Sequence, residues 1–300
     1  MIYTITMNPA LDYVVDLPEF KTNQVNRVVE EHIFYGGKGI NVAVVLKELG
    51  FDSCCFGFTA GFTGKELERG VQELGIKSDF VHVSNGLTRI NVKIHSQQET
   101  ELNGLGPVVS NEDIDCLYEK LKQLTSDDVL VISGSVPSSM SLSIYDQILK
   151  RIDTNKVKVV IAATGDLLKR TLKYKPFLIK PNNHELAELF NVELKTIDDI
   201  EKYARKLQDM GAINVLISMA KDGSLLIDEN GNKHRLGVCK GTVKNSVGAG
   251  DSMVAGFIAG YLSNLNYQEI LKLATAAGGA TAFSSALATK EKIQELLKQL

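Results

Sequence analysis

A glycine-rich stretch near residue 250 has the residue types that phosphate chemistry requires. It reads Asn245-Ser246-Val247-Gly248-Ala249-Gly250-Asp251-Ser252 and is followed at once by an apolar run over residues 253–262. Glycines let a backbone approach an anion closely, and the apolar run predicts a helix whose first N–H groups and dipole attract phosphate. A bound polyphosphate repels a carboxylate beside it. Asp251 therefore indicates a base that accepts a proton from an attacking hydroxyl.

The same stretch also has a purely structural interpretation. Gly248 and Gly250 could simply form a turn, and Asp251 could simply favour a helix N-terminus. A second glycine cluster, Gly36-Gly37-Lys38-Gly39-Ile40-Asn41-Val42-Ala43, lies far upstream in the chain. Two such clusters together favour a transferase that binds two substrates.

Composition limits the classes of protein that fit. The chain has 300 residues, 44% hydrophobic and 23% charged, which is ordinary for a globular protein. Its net charge of −3 argues against a nucleic-acid partner. Residues 1–7 alternate like a strand without the features of a signal peptide, and the run 253–262 is too short to span a bilayer, so we expect a cytoplasmic protein with no membrane partner. The four cysteines have no C-x-x-C spacing, which predicts buried free thiols.

Strand and helix patterns alternate along the second half of the chain. This alternation is typical of a parallel sheet covered on both faces. Two pairs of polar–apolar strands interrupt it, at about 11–35 and 86–104, and predict a small lid sheet. The predicted elements are strands at 51–58, 129–132, 157–161, 177–179 and 215–217, and helices at 38–49, 141–151, 184–190 and 198–210.

Two nucleotide-binding motifs are excluded. Residues 57–66 fail the P-loop pattern, because Thr59 occupies the place of the first glycine and Glu66 follows the lysine where a hydroxyl is needed. This segment is therefore predicted to be a turn between a strand and a helix. The cluster at 36–43 fails the dinucleotide fingerprint because Val42 occupies its last glycine position.

Five motifs together resemble the ribokinase-like (PfkB-type) carbohydrate kinases. The two glycine clusters look like the signatures of that family, and three further motifs match in order and spacing: Asn8-Pro9-Ala10-Leu11-Asp12, Ser133-Gly134-Ser135-Val136-Pro137 and Lys180-Pro181-Asn182-Asn183-His184-Glu185-Leu186. The resemblance covers essentially the whole chain. It implies an α/β fold, a three-layer α/β/α sandwich with a mostly parallel central sheet and a small β-sheet lid, as one domain over residues 1–300.

The resemblance also implies roles for individual residues, with ATP on one side of a cleft and a sugar or sugar phosphate under the lid. The catalytic base falls on Asp251, and the anion hole on Gly248, Ala249 and Gly250. The other implied contacts are Asp12, Arg27, Gly36, Gly37, Lys38, Asn41 and Arg89 to the sugar phosphate, Lys180, Asn182, Ser218, Ala220, Gly223, Gly248 and Gly250 to the nucleotide, and Glu185 to Mg²⁺ through water.

Some of these positions have alternative interpretations. Asp12 fits a turn, Arg27 fits a solvated lid charge, and Asn182 with Glu185 fits an ordinary helix N-terminus. Ala220 replaces a glycine usual in the family, and its backbone could still contact phosphate if φ is negative. Ala162 stands where close relatives generally carry an aspartate, which affects the expected ATP affinity or magnesium geometry. None of the five histidines is assigned to a metal.

Within the family, Lys38 and the run Thr88-Arg89-Ile90-Asn91-Val92-Lys93 look most like the bacterial 1-phosphofructokinases. The implied reaction transfers the γ-phosphate of ATP to the 6-hydroxyl of fructose 1-phosphate, giving fructose 1,6-bisphosphate. The alternatives are a tagatose-6-phosphate kinase, a 6-phosphofructokinase of the same family and, in a different class, a non-catalytic regulator that binds a sugar phosphate. A homodimer through the lid is also expected.

Overall fold

Strands and helices alternate along most of the chain in the computed structural model, which describes residues 1–300. The strands are β1 (Ile2–Thr6), β2 (Ala10–Asp16), β3 (Glu30–Gly36), β4 (Ser53–Ala60), β5 (Lys77–Ser78), β6 (Val81–Val83), β7 (Arg89–His95), β8 (Thr100–Leu102), β9 (Val129–Ser133), β10 (Lys158–Ala162), β11 (Leu178–Ile179), β12 (Asn214–Ser218), β13 (Ser224–Ile227) and β14 (Lys233–Leu236). The helices are α1 (Lys38–Glu48), α2 (Gly61–Glu73), α3 (Asn111–Leu121), α4 (Ile144–Leu149), α5 (Gly165–Thr171), α6 (Asn183–Phe190), α7 (Ile197–Asp209), α8 (Ala249–Leu262), α9 (Tyr267–Ala282) and α10 (Lys290–Leu297).

The large sheet contains ten strands in the order β14-β13-β12-β11-β10-β9-β1-β4-β5, with β6 pairing on β4. All neighbours from β12 to β5 are parallel, whereas β13 and β14 add an antiparallel edge. Parallel strands joined by crossover helices are buried on both faces. The central strands are accordingly apolar at almost every position, as in β9.

Successive residues of β9 point into two separate apolar clusters. Leu130 and Ile132 pack with helices α3 to α7, whereas Val129 and Val131 pack with α1, α8, α9 and α10. This alternation follows from the two-residue period of a strand. It places one helical layer on each face, so the predicted three-layer α/β/α sandwich is confirmed.

A second sheet of four strands stands apart, in the order β3-β2-β7-β8. Strands β2 and β7 pair in parallel, whereas β3 and β8 are antiparallel to their neighbours. The pairing places Asp12 directly beside Asn91 on one side and Phe34 on the other. We call these four strands the small sheet; they lie in the two segments that the alternating pattern singled out.

The start of β7 is held by the start of α2. The Ala60 N–H donates to the Thr88 hydroxyl at 2.9 Å, and the Thr63 hydroxyl donates to the Thr88 carbonyl at 2.8 Å. Thr88 is fully buried and directly precedes Arg89, the first residue of β7. The large sheet and its helix therefore fix where the polar face of β7 begins.

Three local predictions were wrong in detail. The helix predicted at 141–151 covers only Ile144–Leu149, because the serine-rich segment before it forms a turn in which the Ser143 N–H donates to the Ser141 hydroxyl. The segment 57–66, predicted as a turn after a strand at 51–58, contains no separate turn: β4 continues to Ala60, because Gly57 pairs with β1 and residues 58–60 pair with β6, and α2 begins at Gly61. Cys116 is exposed on α3 rather than buried. No helix has the combination of length and apolar composition that crossing a membrane needs.

Gly256 determines how closely α8 approaches α9. A Cβ at this position would lie 2.7 Å from the Ala274 Cα and 2.8 Å from the Leu273 carbonyl oxygen, both backbone atoms that cannot rotate away. We predict that Gly256→Ala lowers the free energy of unfolding by about 1–3 kcal/mol despite the better helix propensity of alanine. Chemical denaturation measures the change.

Gly237→Ala is the control for this prediction. A Cβ there meets no atom within 4 Å, and its φ lies outside the left-handed region. Its free energy of unfolding should stay within about 0.5 kcal/mol of the unmodified protein. An equal loss in both variants would mean that the α8–α9 contact is not the cause.

Candidate active site

The first turn of α8 carries the main candidate residues. Gly248 precedes the helix with a φ of +80°, a left-handed conformation that favours glycine, and Asp251 lies in the first turn. A Cβ on Gly250 would lie 2.9 Å from the Lys180 ammonium nitrogen. The backbone conformation therefore favours glycine at position 248, and Gly250 leaves space for the Lys180 side chain at the helix N-terminus.

The Asp251 carboxylate is buried, with 6% of the residue exposed. The Asn41 side-chain amide donates to its Oδ2 at 2.9 Å, which links the two glycine-rich motifs directly. Burial raises the pKa of Asp251, while the Asn41 hydrogen bond and the charges of Lys38 and Lys180 oppose this shift. A carboxylate held this way is a stronger base than a solvated one, and its orientation toward the proton that it accepts is fixed.

Two cavities meet at Asp251. The larger has a volume of about 680 Å³ and the smaller about 560 Å³. Five of the lining residues are common to both cavities: Lys38, Ala163, Thr164, Gly248 and Asp251. A group bound in one cavity can therefore be handed to a group bound in the other beside the carboxylate.

The larger cavity combines polar groups at the α8 end with an apolar far end. All the predicted nucleotide-binding residues line it: Lys180, Asn182, Ser218, Ala220, Gly223, Gly248 and Gly250. Val238, Val243 and Phe283 contribute apolar surface, of the kind that accepts a planar base. Lys180 has no ion-pair partner within 4 Å, and burial lowers its pKa, while the nearby Glu185 and Asp251 carboxylates oppose the shift. Its charge is thus available to an anionic ligand.

Asn182 and Glu185 form a capping box at the start of α6. The Asn182 N–H donates to Glu185 Oε2 and the Glu185 N–H donates to Asn182 Oδ1, both at 2.8 Å. The helix-capping interpretation is therefore present, and both residues also line the larger cavity. The cap fixes the Glu185 carboxylate at the cavity wall. The same two residues can therefore cap α6 and contact a ligand in the larger cavity.

Ala220 does not have the negative φ on which its predicted phosphate contact depended. Its φ is +47°, in the left-handed region, rather than negative. The short turn Ala220–Asp222 keeps a glycine-like conformation although alanine occupies the position, at a cost of roughly 1 kcal/mol. The backbone still lines the larger cavity, as does Ala162 at the end of β10.

The smaller cavity lies between the large sheet and the small sheet. Of the predicted sugar-phosphate residues, Asp12, Gly37, Lys38, Asn41 and Arg89 line it. Gly36 does not, but a Cβ there would lie 2.7 Å from Asp12 Oδ2, so this glycine makes room for that carboxylate. Lys38 lies at the junction of the two cavities and not only in the smaller one.

Asp12 is held by two side chains from β7. The Asn91 amide donates to Asp12 Oδ1 at 2.8 Å, and the Lys93 ammonium group donates to Oδ2 at 3.0 Å. Arg89 donates from Nε to the Asn8 carbonyl oxygen at 3.1 Å, and burial lowers its pKa. The two terminal nitrogens of Arg89 make no protein hydrogen bond, so its charged end can face a ligand.

The predicted contact of Arg27 with the sugar phosphate stays a prediction. It lies in the exposed segment between β2 and β3 and lines neither cavity in the single chain. The ladder between β2 and β3 ends at Asp16 and Glu30, so the residues between them, including Arg27, lie outside the small sheet. In the single chain its position agrees with a solvated charge.

The sequence analysis assigned no role to several residues that line the smaller cavity. They are Thr6, Asn8, Glu101, Asn103, Ser135 and Thr164, together with Asn91 and Lys93, which the strand pattern placed on a polar face without a role. The alternation Arg89-Asn91-Lys93 was the available signal for the last two. For Glu101 the signal appears only once β8 is paired with β7.

One group of potential metal ligands lies elsewhere. Asp16, Glu30 and His32 come within 4.8 Å of one another at the exposed far end of the small sheet. None of them lines either cavity. Any metal ion that assists a reaction at Asp251 must therefore be held by other oxygens, of which the Glu185 carboxylate is the candidate.

The comparisons with known proteins agree with this geometry. Over its full length the chain is 41% identical to the 1-phosphofructokinase of Bacillus subtilis, with 100% of this chain and 98% of the relative covered. It is 36% identical to the D-tagatose-1-phosphate kinase of Bacillus licheniformis, with 100% and 98% covered. The crystal structure of phosphofructokinase-2 from Escherichia coli in complex with substrates and products has a TM-score of 0.94 at 27% identity and covers 100% of this chain and 99% of its own.

The family model described as pfkB family carbohydrate kinase matches residues 3–293. This match spans both glycine-rich motifs, both cavities and the small sheet, so it includes every element that positions Asp251. The resemblance inferred from the motifs is therefore confirmed, and the chain belongs to the pfkB family of carbohydrate kinases.

Proposed function

We propose that this protein transfers the γ-phosphate of ATP to the 6-hydroxyl of fructose 1-phosphate and forms fructose 1,6-bisphosphate. The observation that carries the proposal is that Asp251 lines both cavities at their junction. The larger cavity then holds ATP, and the smaller holds the acceptor with its reacting hydroxyl at Asp251. In-line transfer requires the attacking and leaving oxygens to lie on opposite sides of the phosphorus atom, and an acceptor in one cavity with ATP in the other can meet this requirement.

The chain's own groups supply positioning and charge. Asp251 accepts the proton of the attacking hydroxyl, and the N–H groups of Gly248, Ala249 and Gly250 donate to the transferring phosphoryl group. The Ala249 N–H exchanges its 3.3 Å hydrogen bond to the Ser246 carbonyl oxygen for this contact. Lys180 on one side and Lys38 at the junction offer positive charge to the phosphate oxygens. Because Lys180 is buried away from water, its attraction for phosphate is stronger than that of a solvated lysine.

Mg²⁺ fits the donors at the phosphate end. The Glu185 carboxylate lines the larger cavity and is fixed by the capping box, and oxygen ligands are the ones that Mg²⁺ prefers. We propose that Glu185 holds the ion through water. When bound, the ion neutralises charge on the ATP phosphates.

The phosphate of the acceptor is proposed to bind at Arg89. Its terminal nitrogens are free of protein partners, and a guanidinium group binds phosphate through two parallel hydrogen bonds. Asp12 accepts hydrogen bonds from the sugar hydroxyls, and the Asn41 amide accepts from them or donates to them. Unphosphorylated fructose should be a poor acceptor, because it leaves the half-buried Arg89 charge unpaired.

A related acceptor is the second candidate. The relative from Bacillus licheniformis carries the name D-tagatose-1-phosphate kinase, and tagatose 1-phosphate has the same phosphate and the same reacting hydroxyl as fructose 1-phosphate. Tagatose 6-phosphate and fructose 6-phosphate are the further alternatives. A regulator without turnover is disfavoured because the base, the glycines and both lysines are all present at the junction.

A homodimer through the small sheet is also proposed. Large apolar side chains remain exposed on its strands and on the segment joining β2 to β3: Val25 is 80% exposed, Val29 72%, Ile33 55% and Leu102 59%. An apolar group of this size on one element favours burial against a second copy. Sedimentation equilibrium of the protein, with and without Val29→Glu, tests this.

The proposed function is tested by an acceptor panel with MgATP. We expect the highest kcat/KM for fructose 1-phosphate among fructose 1-phosphate, tagatose 1-phosphate, tagatose 6-phosphate, fructose 6-phosphate and fructose. ADP release is the measurement, and identification of the bisphosphate product confirms transfer. A higher value for any other acceptor overturns the substrate assignment, and no ADP release with any acceptor favours the regulator.

Removing the base should affect turnover and little else. We predict that Asp251→Asn lowers kcat by about 10²- to 10⁴-fold, the usual contribution of a positioned base, because the amide cannot accept the proton. ATP binding and the melting temperature should be nearly unchanged. Steady-state kinetics and calorimetric titration with ATP give the two quantities.

Asp52→Asn is the matched control, since Asp52 is an exposed aspartate that pairs only with Lys47. It should leave kcat unchanged. Near-normal kcat in Asp251→Asn would mean that Asp251 only favours the N-terminus of α8.

Removing the Arg89 charge should affect the acceptor alone. We predict that Arg89→Ala weakens sugar-phosphate binding by about 1.5–3 kcal/mol, as expected for a charge-assisted hydrogen bond, while the KM for ATP hardly changes. The exposed Arg170 on α5 provides the control variant Arg170→Ala. A raised KM for ATP with an unchanged KM for the acceptor would place Arg89 on the wrong side of the junction.

A further inference from the structure

We propose that Glu101 determines acceptor specificity by accepting a hydrogen bond from a secondary hydroxyl of the sugar. This inference rests on the proposed function and deepens it. Glu101 lies on β8, the outer strand of the small sheet, and its side chain lines the smaller cavity together with Asn103. No motif of the sequence drew attention to it.

The pairing of β7 with β8 brings Glu101 to the cavity. Glu101 is directly opposite Lys93, and residues opposite each other in a sheet point to the same face. That face also carries Asn91 and Asp12, because Asp12 is opposite Asn91 in the neighbouring pair. Glu101 is therefore the outermost member of a polar row that crosses three strands.

The Glu101 carboxylate is not used by the protein itself. The adjacent Lys93 ammonium group is bound to Asp12 at 3.0 Å, and Glu101 makes no ion pair within 4 Å. Its one hydrogen bond is from the Asn103 amide to Oε2 at 3.4 Å, close to the limit for such a bond. Most of its capacity to accept hydrogen bonds is thus open to a ligand.

The chemistry of a carboxylate limits what that ligand group can be. An ionised carboxylate only accepts hydrogen bonds, so it binds a hydroxyl and repels a phosphate. Arg89 lies four residues before Lys93 on the same face of β7, about 13 Å away at 3.3 Å per residue. The cavity therefore has a cationic end at Arg89 and an end with two carboxylates around one ammonium group at Asp12, Lys93 and Glu101.

This difference in charge orients the acceptor. Its phosphate goes to Arg89, and its secondary hydroxyls face Asp12 and Glu101. Sugar phosphates that differ only at a secondary hydroxyl, such as fructose 1-phosphate and its C4 epimer tagatose 1-phosphate, then make different hydrogen bonds to the polar row. The relevant readout is the preference between these two acceptors, which a merely structural glutamate would not affect.

Glu101→Gln tests the proposal, because it keeps the shape and removes the charge. We expect the KM for fructose 1-phosphate to rise about tenfold, the loss of one hydrogen bond to a charged group, with kcat and the KM for ATP changed less than about twofold. We also expect the ratio of kcat/KM for fructose 1-phosphate over tagatose 1-phosphate to fall. Steady-state kinetics on both acceptors gives these values.

Glu99→Gln is the matched control, since Glu99 is an exposed glutamate just before β8 that lines neither cavity. It should leave all the constants unchanged. The proposal is overturned if Glu101→Gln leaves both the acceptor KM and the ratio unchanged, or if it only lowers the melting temperature. Activity of the unmodified protein on fructose 1-phosphate is measured first, so that a failure of the proposed function is recognised separately.

Discussion

The structure depends on placing one carboxylate between two cavities while keeping it out of water. Asp251 can occupy this position because α8 is buried along almost its whole length, and α1 and α9 pack against it. Ser252, the next residue, shares a hydrogen bond with the Thr281 hydroxyl at 2.7 Å and donates to the Gly248 carbonyl at 2.9 Å. The start of α8 is therefore tied to α9. A base that must meet substrates from two sides needs this rigidity, since a small displacement would misalign both.

The parts of the site that the sequence predicts are those contained in a short stretch. The motif from Gly248 to Asp251 requires only local geometry, a left-handed glycine followed by a helix, so its residues alone indicate an anion site. The alternation of strand and helix likewise predicts the layers, because periodicity is a local property. Asn41 and Asp251 each belong to a motif that the sequence analysis identified. Their 2.9 Å hydrogen bond is visible only in the folded structure.

The parts that the sequence does not predict depend on pairing between distant strands. Lys93 and Glu101 become part of the site only through the register of the small sheet, and a shift by one residue would turn both away from the cavity. The same reason explains Arg27, whose charge is near the lid in sequence but outside the cavity in space. The expected negative φ of Ala220 was wrong for a different reason: the surrounding turn imposes a φ of +47°, which alanine rarely adopts.

The two cavities differ in how they are built, and this difference explains which departures from the family pattern matter. In the larger cavity, Lys38, Lys180, Asn182 and the start of α8 are all present, so alanine at positions 162 and 220 leaves these polar groups in place. In the smaller cavity, the small sheet contributes the side chains of Asp12, Arg89, Asn91, Lys93 and Glu101, and further polar side chains come from outside that sheet. One substitution there exchanges a donor for an acceptor without disturbing the base. We therefore expect substitutions in the small sheet to change the preference between acceptors, and substitutions at the start of α8 to change phosphoryl transfer.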